Sequence, residues 1–577
     1  MKKIILLLLI LNSFKFPLFA QVSNWLWAKQ ATGSITASDG QEGTEAVADA
    51  YGNVYVVGRF SGNNIKFGSI TLVNTSPAYF DIFIVKYDPN GNVMWAKNAG
   101  GSEDDIGNSI SIDASGNLYI TGYFNSNTIA LGSFSLTNTH AGTNDLFIAK
   151  YDISGNVLWA ESVGGYYDEN GFCVTKDAFG NIYLAGRWSS ATLTIGSTTI
   201  TNSGPTATFD IILIKYDPSG GIIWAKDIGG DLNDEATNVV LDASGNLILT
   251  GMFNSSSIDF GGITLINPTS SKYNTFIVKY DNNINLLWAK RPGTVNTTAF
   301  YFTRLNCAID LYDEIYLAGS FTSPTITFDT ITLTNEDYTG FRSDVFFAKY
   351  DSNGNAKWAK RAGGHSDDYG EGVATDASGV YFIGGFLESP SNLITLGIDT
   401  LPFPGNLSDP IVLVKYDFNG NKICLSTLYS GGDDQASIIP DGFGNVYIAG
   451  DFFGIPTFEI GIDTLTLYGQ ETFFIAKYNC STISTVNINE TPLLQDIAIY
   501  PNPNDGTMNL IYSLDGASKG EIVLYDLTGK LIVKYNLQAG KNNQLLIQDK
   551  QLNNGVYFYK VIVDNEVKAS DKIIIVK

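Results

Sequence analysis

Histidine is almost missing from this chain: only His140 and His365 occur in 577 residues. Catalysis by a histidine base is therefore not expected, and no paired Cys/His spacing offers a zinc site. Neither a nucleophile elbow nor a glycine-rich phosphate loop is present to suggest other chemistry. Cysteine is scarce as well. Cys173, Cys307, Cys424 and Cys480 are too few and too scattered for a disulfide framework and read as small hydrophobes. Positive charge is also short, with 35 Lys and Arg against 58 Asp and Glu, a formal net charge of −23. That balance excludes nucleic acid and anionic lipid as expected partners. Long apolar runs are missing too: nothing approaches the roughly 18 residues of a spanning helix. The run from Ile4 to Leu11 is short, follows Met1, Lys2 and Lys3, and precedes Ala20. Residues 1–20 thus read as a signal peptide.

What the chain does have is glycine, 59 of them, and 13% aromatic residues, a composition of β-rich globular proteins. It also repeats itself. A strand ending in glycine and an aromatic residue recurs with Gly58, Gly122, Gly186, Gly251, Gly319, Gly385 and Gly450, spaced 64 to 68 residues apart. An apolar strand ending in Lys-Tyr recurs with Tyr87, Tyr151, Tyr216, Tyr280, Tyr350, Tyr416 and Tyr478. A tryptophan strand follows at Trp95, Trp159, Trp224, Trp288 and Trp358, with Cys424 at the equivalent place. The seventh tryptophan strand stands at the other end of the chain, at Trp27. This offset predicts an all-β, seven-bladed β-propeller over 21–480, closed by a blade that mixes both termini, which removes exposed sheet edges. Each unit reads as four strands around Asp-x-x-Gly turns, where glycine supplies the positive φ of a tight hairpin and Asp bonds the nearby backbone. Calcium loops of the EF-hand kind do not fit, because a strand follows each turn at once. These repeats resemble the bacterial beta-propeller repeat family, a resemblance that implies the fold and no particular activity.

After Cys480 the period ends. Residues 481–494 read as a linker and 495–577 as a small β-sandwich. Tyr500, Pro501, Asn502 and Pro503, then Gly506, the VLYDLTGK segment with Gly529, the LNNGVY segment with Gly555 and Tyr557, and a terminal KIIIVK resemble the type A C-terminal sorting domain of the type IX secretion system. The resemblance implies export across the outer membrane of a Bacteroidetes-type bacterium, with the secretion machinery as partner and a secreted or surface-anchored product.

Candidate ligand-binding residues fall on acidic loops just after the tryptophan strands: Glu103, Asp104, Asp105, Asp168, Glu169, Asp234, Glu235, Asp367, Asp368, Asp433 and Asp434. If they converge near a channel mouth, their oxygens suit a hard cation such as calcium. Tyr166, Tyr167 and Tyr369 in the same loops are placed to stack on sugars. The rim carrying the long insertions is the expected binding face. The expected protein is a monomeric, non-enzymatic surface module without a cofactor, binding a glycan or a protein. A structural surface component and a paired-carboxylate glycan hydrolase are the alternatives.

Overall fold

The computed structural model describes residues 24–33, 40–205, 207–268, 272–293, 305–337, 342–386, 393–396, 399–402, 410–429, 436–480, 498–500, 507–514, 520–525, 531–548, 552, 555–564 and 566–575. The expected leader (1–20) and linker (481–494) lie outside them. The chain divides into two compact units, Met1–Thr482 and Ile483–Lys577. Every regular element among the described residues is a β-strand, and no helix there is long and apolar enough to cross a membrane.

The first unit is a series of antiparallel sheets with one recurring plan. The first sheet sets Gln41–Ala48, Val54–Phe60, Asp81–Tyr87 and Val93–Gly100 side by side in chain order, and the second does the same with Asp105–Ile112, Leu118–Phe124, Asp145–Tyr151 and Val157–Val163. The third sheet repeats this with Glu169–Lys176, Ile182–Trp188, Asp210–Tyr216 and Ile222–Ile228, and the fourth with Asp234–Leu241, Leu247–Phe253, Asn274–Tyr280 and Leu286–Lys290. The sheet nearest the end of the unit differs. It contains Ala436–Pro440, Asn445–Phe453 and Glu471–Asn479, and its fourth strand is Trp25–Gln30, from the other end of the chain. Ala28 pairs with Ala476 and Gln30 with Phe474 in that ladder.

The repeated motifs have packing reasons. The second strands are buried on both faces, so they are mostly apolar, as Val54–Phe60, with Arg59 its one charged residue, and Leu247–Phe253 show. The glycine of the Gly-x-aromatic motif sits beside a bulge in the first strand. A Cβ on Gly58 would stand 2.1 Å from the Glu42 carbonyl, and one on Gly122 1.9 Å from that of Ile106, so no side chain fits. The Asp-x-x-Gly turns form as read. Asp49 Oδ1 accepts from the backbone of Tyr51 and Asn53, both at 2.9 Å, and Gly52 takes φ +78°. The lysine of the Lys-Tyr motif lies over the tyrosine of the adjacent strand: Lys86 over Tyr55 at 4.7 Å and Lys215 over Tyr183 at 4.7 Å.

Two readings change. The long insertions, read as loops, contain two-stranded hairpins, such as Thr128–Leu131 with Phe134–Thr137. That hairpin pairs through Ala130 and Leu131 with Gly100 and Ala99 on the last strand of the preceding sheet, so it covers an edge. The cysteines also divide. Cys173 and Cys307 are buried and free, as small hydrophobes are, but Cys424 and Cys480 form a disulfide with Cα atoms 5.9 Å apart.

The second unit has a three-stranded sheet (Ala498–Tyr500, Thr507–Leu514, Gly540–Gln548) and a four-stranded one (Leu531–Leu537, Gly520–Tyr525, Gly555–Val563, Glu566–Ile575). One apolar cluster takes residues from both, including Met508, Leu510, Ile522, Leu524, Val561 and Ile573.

Candidate functional site

The acidic loops act as clasps between neighbouring sheets. Asp104 Oδ1 accepts from the backbone N–H of Phe80 at 2.9 Å, Asp168 from that of Asn144 at 2.9 Å, and Asp367 from that of Ser343 at 3.0 Å. In the fourth sheet Asn233 does the same to Phe209. The next residue goes inward. Asp105, Glu169, Asp234 and Asp368 are all buried. Asp105 accepts from the Ser126 hydroxyl at 2.8 Å, Glu169 from the Gly165 N–H at 2.7 Å, Asp234 from the Ser255 hydroxyl at 2.6 Å, and Asp368 from the Gly364 N–H at 2.8 Å. Glu235 instead pairs with Arg187 at 2.8 Å. Each acid is thus engaged locally, and among the described residues no group of three or more His, Cys, Asp or Glu gathers as a metal cage. Asp433 and Asp434 lie outside the described residues.

A second buried acid faces each of these from the third strand of the preceding sheet: Asp81, Asp145, Asp210 and Asp344. Two glycines make the room. A Cβ on Gly100 would stand 1.9 Å from Asp81, and one on Gly101 2.5 Å from the Ser126 hydroxyl. The same crowding recurs at Gly164 with Gly165 and at Gly229 with Gly230. Burial pushes these carboxyls up. Asp81 reaches about 7, with the charge of Asp105 as second cause. Burial also brings Asp105, Glu169, Asp234 and Asp344 to about 7, and it raises Asp368 well above the usual range. Raised acids often mark active sites. Here they recur at equivalent places in several sheets, which makes them part of the packing.

The aromatic residues of these loops are partly grouped. Tyr166 is exposed, with its ring 4.3 Å from that of His140 and 5.1 Å from that of Tyr167. Tyr369 lies within the strand Asp368–Asp376, away from a loop tip.

Two of the cavities among the described residues bear on function and were not read from the sequence. One, of about 150 Å³, is lined by residues of seven first strands, among them Thr44, Asn108, Thr237, Asn306, Glu371 and Ser437. Most of these stand at the bulges, and four of them bond across to the neighbouring sheet. Thr44 donates to the Gly107 carbonyl at 2.5 Å, Asn108 to Gly171 at 2.7 Å, Thr237 to Leu305 at 2.8 Å and Asn306 to Glu371 at 2.7 Å. The signal in the sequence is a polar residue after a small one near the start of most first strands, as in Gly43-Thr44, Gly107-Asn108, Ala236-Thr237 and Gly370-Glu371. The other cavity is a groove of about 610 Å³ at the Asp-x-x-Gly turns of the third and fourth sheets.

Of the tail motifs, Tyr500 ends the strand Ala498–Tyr500, Gly555 opens Gly555–Val563, and Tyr557 lies within it, half-buried. Pro501, Asn502, Pro503, Gly506 and Gly529 lie outside the described residues.

Comparison with known proteins bears out both resemblances. Residues 498–576 match the family model of the secretion system C-terminal sorting domain, and residues 95–128 match that of the beta-propeller repeat. The tail match supports handling by a secretion machinery and export to the cell surface or the extracellular space. Among curated proteins, an uncharacterized WD repeat-containing protein of Acanthamoeba polyphaga mimivirus is 26% identical over 443 residues, covering 66% of this chain and 32% of that protein. Regulatory protein FlaEY of Caulobacter vibrioides is 23% identical over 226 residues, 37% of this chain and 23% of its own length. The chain therefore spans a third or less of the curated relatives it matches. Among solved structures, a protein of unknown function from Dyadobacter fermentans aligns over 78% of this chain and 99% of its own, at 8% identity and a TM-score of 0.36. A variant of the Synechocystis apocarotenoid oxygenase aligns over 78% and 95%, at 10% identity and a TM-score of 0.33.

Proposed function

We propose that the first unit is a seven-bladed propeller closed into a ring, and that it serves as a non-enzymatic binding module displayed on the cell surface. The observation that carries this is the pairing of Trp25–Gln30 with Glu471–Asn479, which brings the two ends of the unit into one sheet. Contact between the first strands Gln41–Ala48 and Ala436–Pro440 supports it, as does the single cavity shared by seven first strands. A ring of blades leaves only short, protected sheet edges, a property suited to a protein outside the cell. Stable hairpins and tight turns on a rigid scaffold suit recognition, and the reading requires neither catalysis nor a cofactor.

The tail is the export signal in this reading, with the type IX machinery as its carrier. Deleting residues 495–577 tests that part. The truncated protein is expected to stay inside the outer membrane, while the full chain reaches the surface or the medium. Equal delivery of both would refute the assignment. Binding is tested with the secreted chain on a glycan and protein array, where silence across the array would leave the structural-component alternative in its place.

A further inference from the structure

We propose that the groove between the third and fourth sheets is a binding site for an acidic saccharide; this rests on the binding-module reading and gives it a site and a ligand class. The groove lies on the face of the short turns, opposite in character to the insertion-bearing rim favoured from sequence.

It lies where the repeat departs from its pattern in the fourth sheet, at the outer turn between the third and fourth strands, which elsewhere packs on the inner turn between the first and second. In the first three sheets, a bulky residue at the second position of the outer turn covers the inner turn. Pro89 comes within 3.5 Å of where a Cβ on Gly52 would stand, Ile153 within 2.9 Å of that on Gly116, and Pro218 within 3.4 Å of that on Gly180. In the fourth sheet this residue is Asn282, which is exposed, and nothing lies within 4 Å of the same point on Gly245. The turn departs again two residues later. Where other outer turns have Gly91, Gly155, Gly220, Gly354 and Gly420, it has Ile284 at φ +63°, a strained conformation for a β-branched residue. Strain held at the edge of an open groove points to a use there.

The lining fits one chemistry. Phe179 is 86% exposed, on a turn fixed by Asp177, whose Oδ1 accepts from the backbone of Phe179 and Asn181, both at 2.9 Å. A rigid, bare ring offers its face to the C–H face of a pyranose with little ordering cost. Asn282, Asn283 and Ser244 stand along the groove with donors and acceptors suited to hydroxyl groups. Lys176 and Lys215 supply two ammonium groups within a chain of net charge −23. Of the carboxylates nearby, Asp242 is paired with Lys279 at 2.9 Å, while Asp177 and Asp313 are bonded within the turns, to the Asn181 amide and to the Ala243 N–H at 2.8 Å. A sugar bearing a carboxylate therefore matches the ring, the amides and the two ammonium groups of Lys176 and Lys215 together.

Isothermal titration of the full secreted chain with tetragalacturonic acid, and with cellotetraose as neutral control, tests the site. Tetragalacturonic acid is expected to bind, more weakly at high salt, and to bind better than cellotetraose by about tenfold or more. Phe179→Ala is expected to weaken it by a similar factor. So is Asn282→Pro, which refills the groove with the residue the first and third sheets already carry there. Both positions are exposed, and unchanged melting temperatures would confirm that folding is intact. Absence of tetragalacturonate binding, equal binding of cellotetraose, or affinity that survives both substitutions would overturn the site. Survival of affinity would do so while leaving the binding-module reading standing.

Discussion

At five junctions between sheets, a tryptophan lies on the glycine of the next sheet's outer turn: Trp27 on Gly91, Trp95 on Gly155, Trp159 on Gly220, Trp288 on Gly354 and Trp358 on Gly420. In four of them the indole also donates to the carbonyl of the second residue of that turn, Pro89 at 3.1 Å, Ile153 at 3.1 Å, Pro218 at 3.4 Å and Ser352 at 3.2 Å. At the junction into the last sheet, Cys424 holds the tryptophan's place. Cys480, two residues after Tyr478, holds the place of Pro89, two residues after Tyr87. The last sheet has no turn there, because its third strand runs on toward the tail and its fourth comes from residues 25–30. Where the docking surface for an indole is missing, a covalent link takes over. Six junctions thus carry a lock, and the lock changes where the chain's path forbids the usual one; the junction into the fourth sheet, where Ile284 replaces the turn glycine, has neither kind.

The largest expected effect comes from removing the odd lock. Cys424→Ser, or reduction of the wild type, should destabilise the first unit by about 4 kcal/mol if the disulfide acts by closing its loop. Melting with and without reductant checks this: the serine variant should melt with the reduced wild type and lose its response to reductant. Next comes an ordinary lock. Trp95→Ala should cost about 2 to 3 kcal/mol through lost packing and the lost bond to Ile153, read by urea unfolding. If it cost more than Cys424→Ser, the ranking of the two kinds of junction would be reversed.

The buried acids give a pH signature. A carboxyl raised on folding contributes stability that is complete below its unfolded value, near 4, and lost as pH rises toward its folded value, here about 7. Stability should therefore increase as pH falls from about 8 to about 5. Below about 4 it should drop, because turn aspartates such as Asp281, held below the usual range by the Asn285 amide and nearby N–H groups, become protonated. Unfolding curves across pH test this, and Asp105→Asn should flatten the upper limb by about 1 kcal/mol or more. The smallest effect is expected from Asp113→Ala, which removes the turn bonds to Ser115 and Asn117 for about 1 kcal/mol, measurable in the same assay.

The repeat and its circular offset were legible in the sequence, because Gly58, Tyr87 and Trp95 and their counterparts report packing that recurs in every unit. The disulfide was not, since it required knowing that Cys424 faces a neighbouring sheet whose turn is missing. Hairpins such as Thr128–Leu131 with Phe134–Thr137 were read as loops because four-residue strands mixing Thr and Ser with single apolar residues carry little pattern. Asp105 and Asp368 read as candidate cation ligands on the acidic loops. Their burial depends on space left by paired glycines, which sequence does not price. The groove was visible only as a blemish: DNNIN at 281–285 where the other turns keep a glycine.

The central claim is that residues 25–30 complete the last sheet of a closed ring. An experimental density map of the secreted chain measures this most directly. The account predicts seven four-stranded sheets around one axis, with Ala28 beside Ala476 and a disulfide from Cys424 to Cys480. A map with residues 25–30 paired elsewhere, or with Gln41–Ala48 apart from Ala436–Pro440, would contradict it.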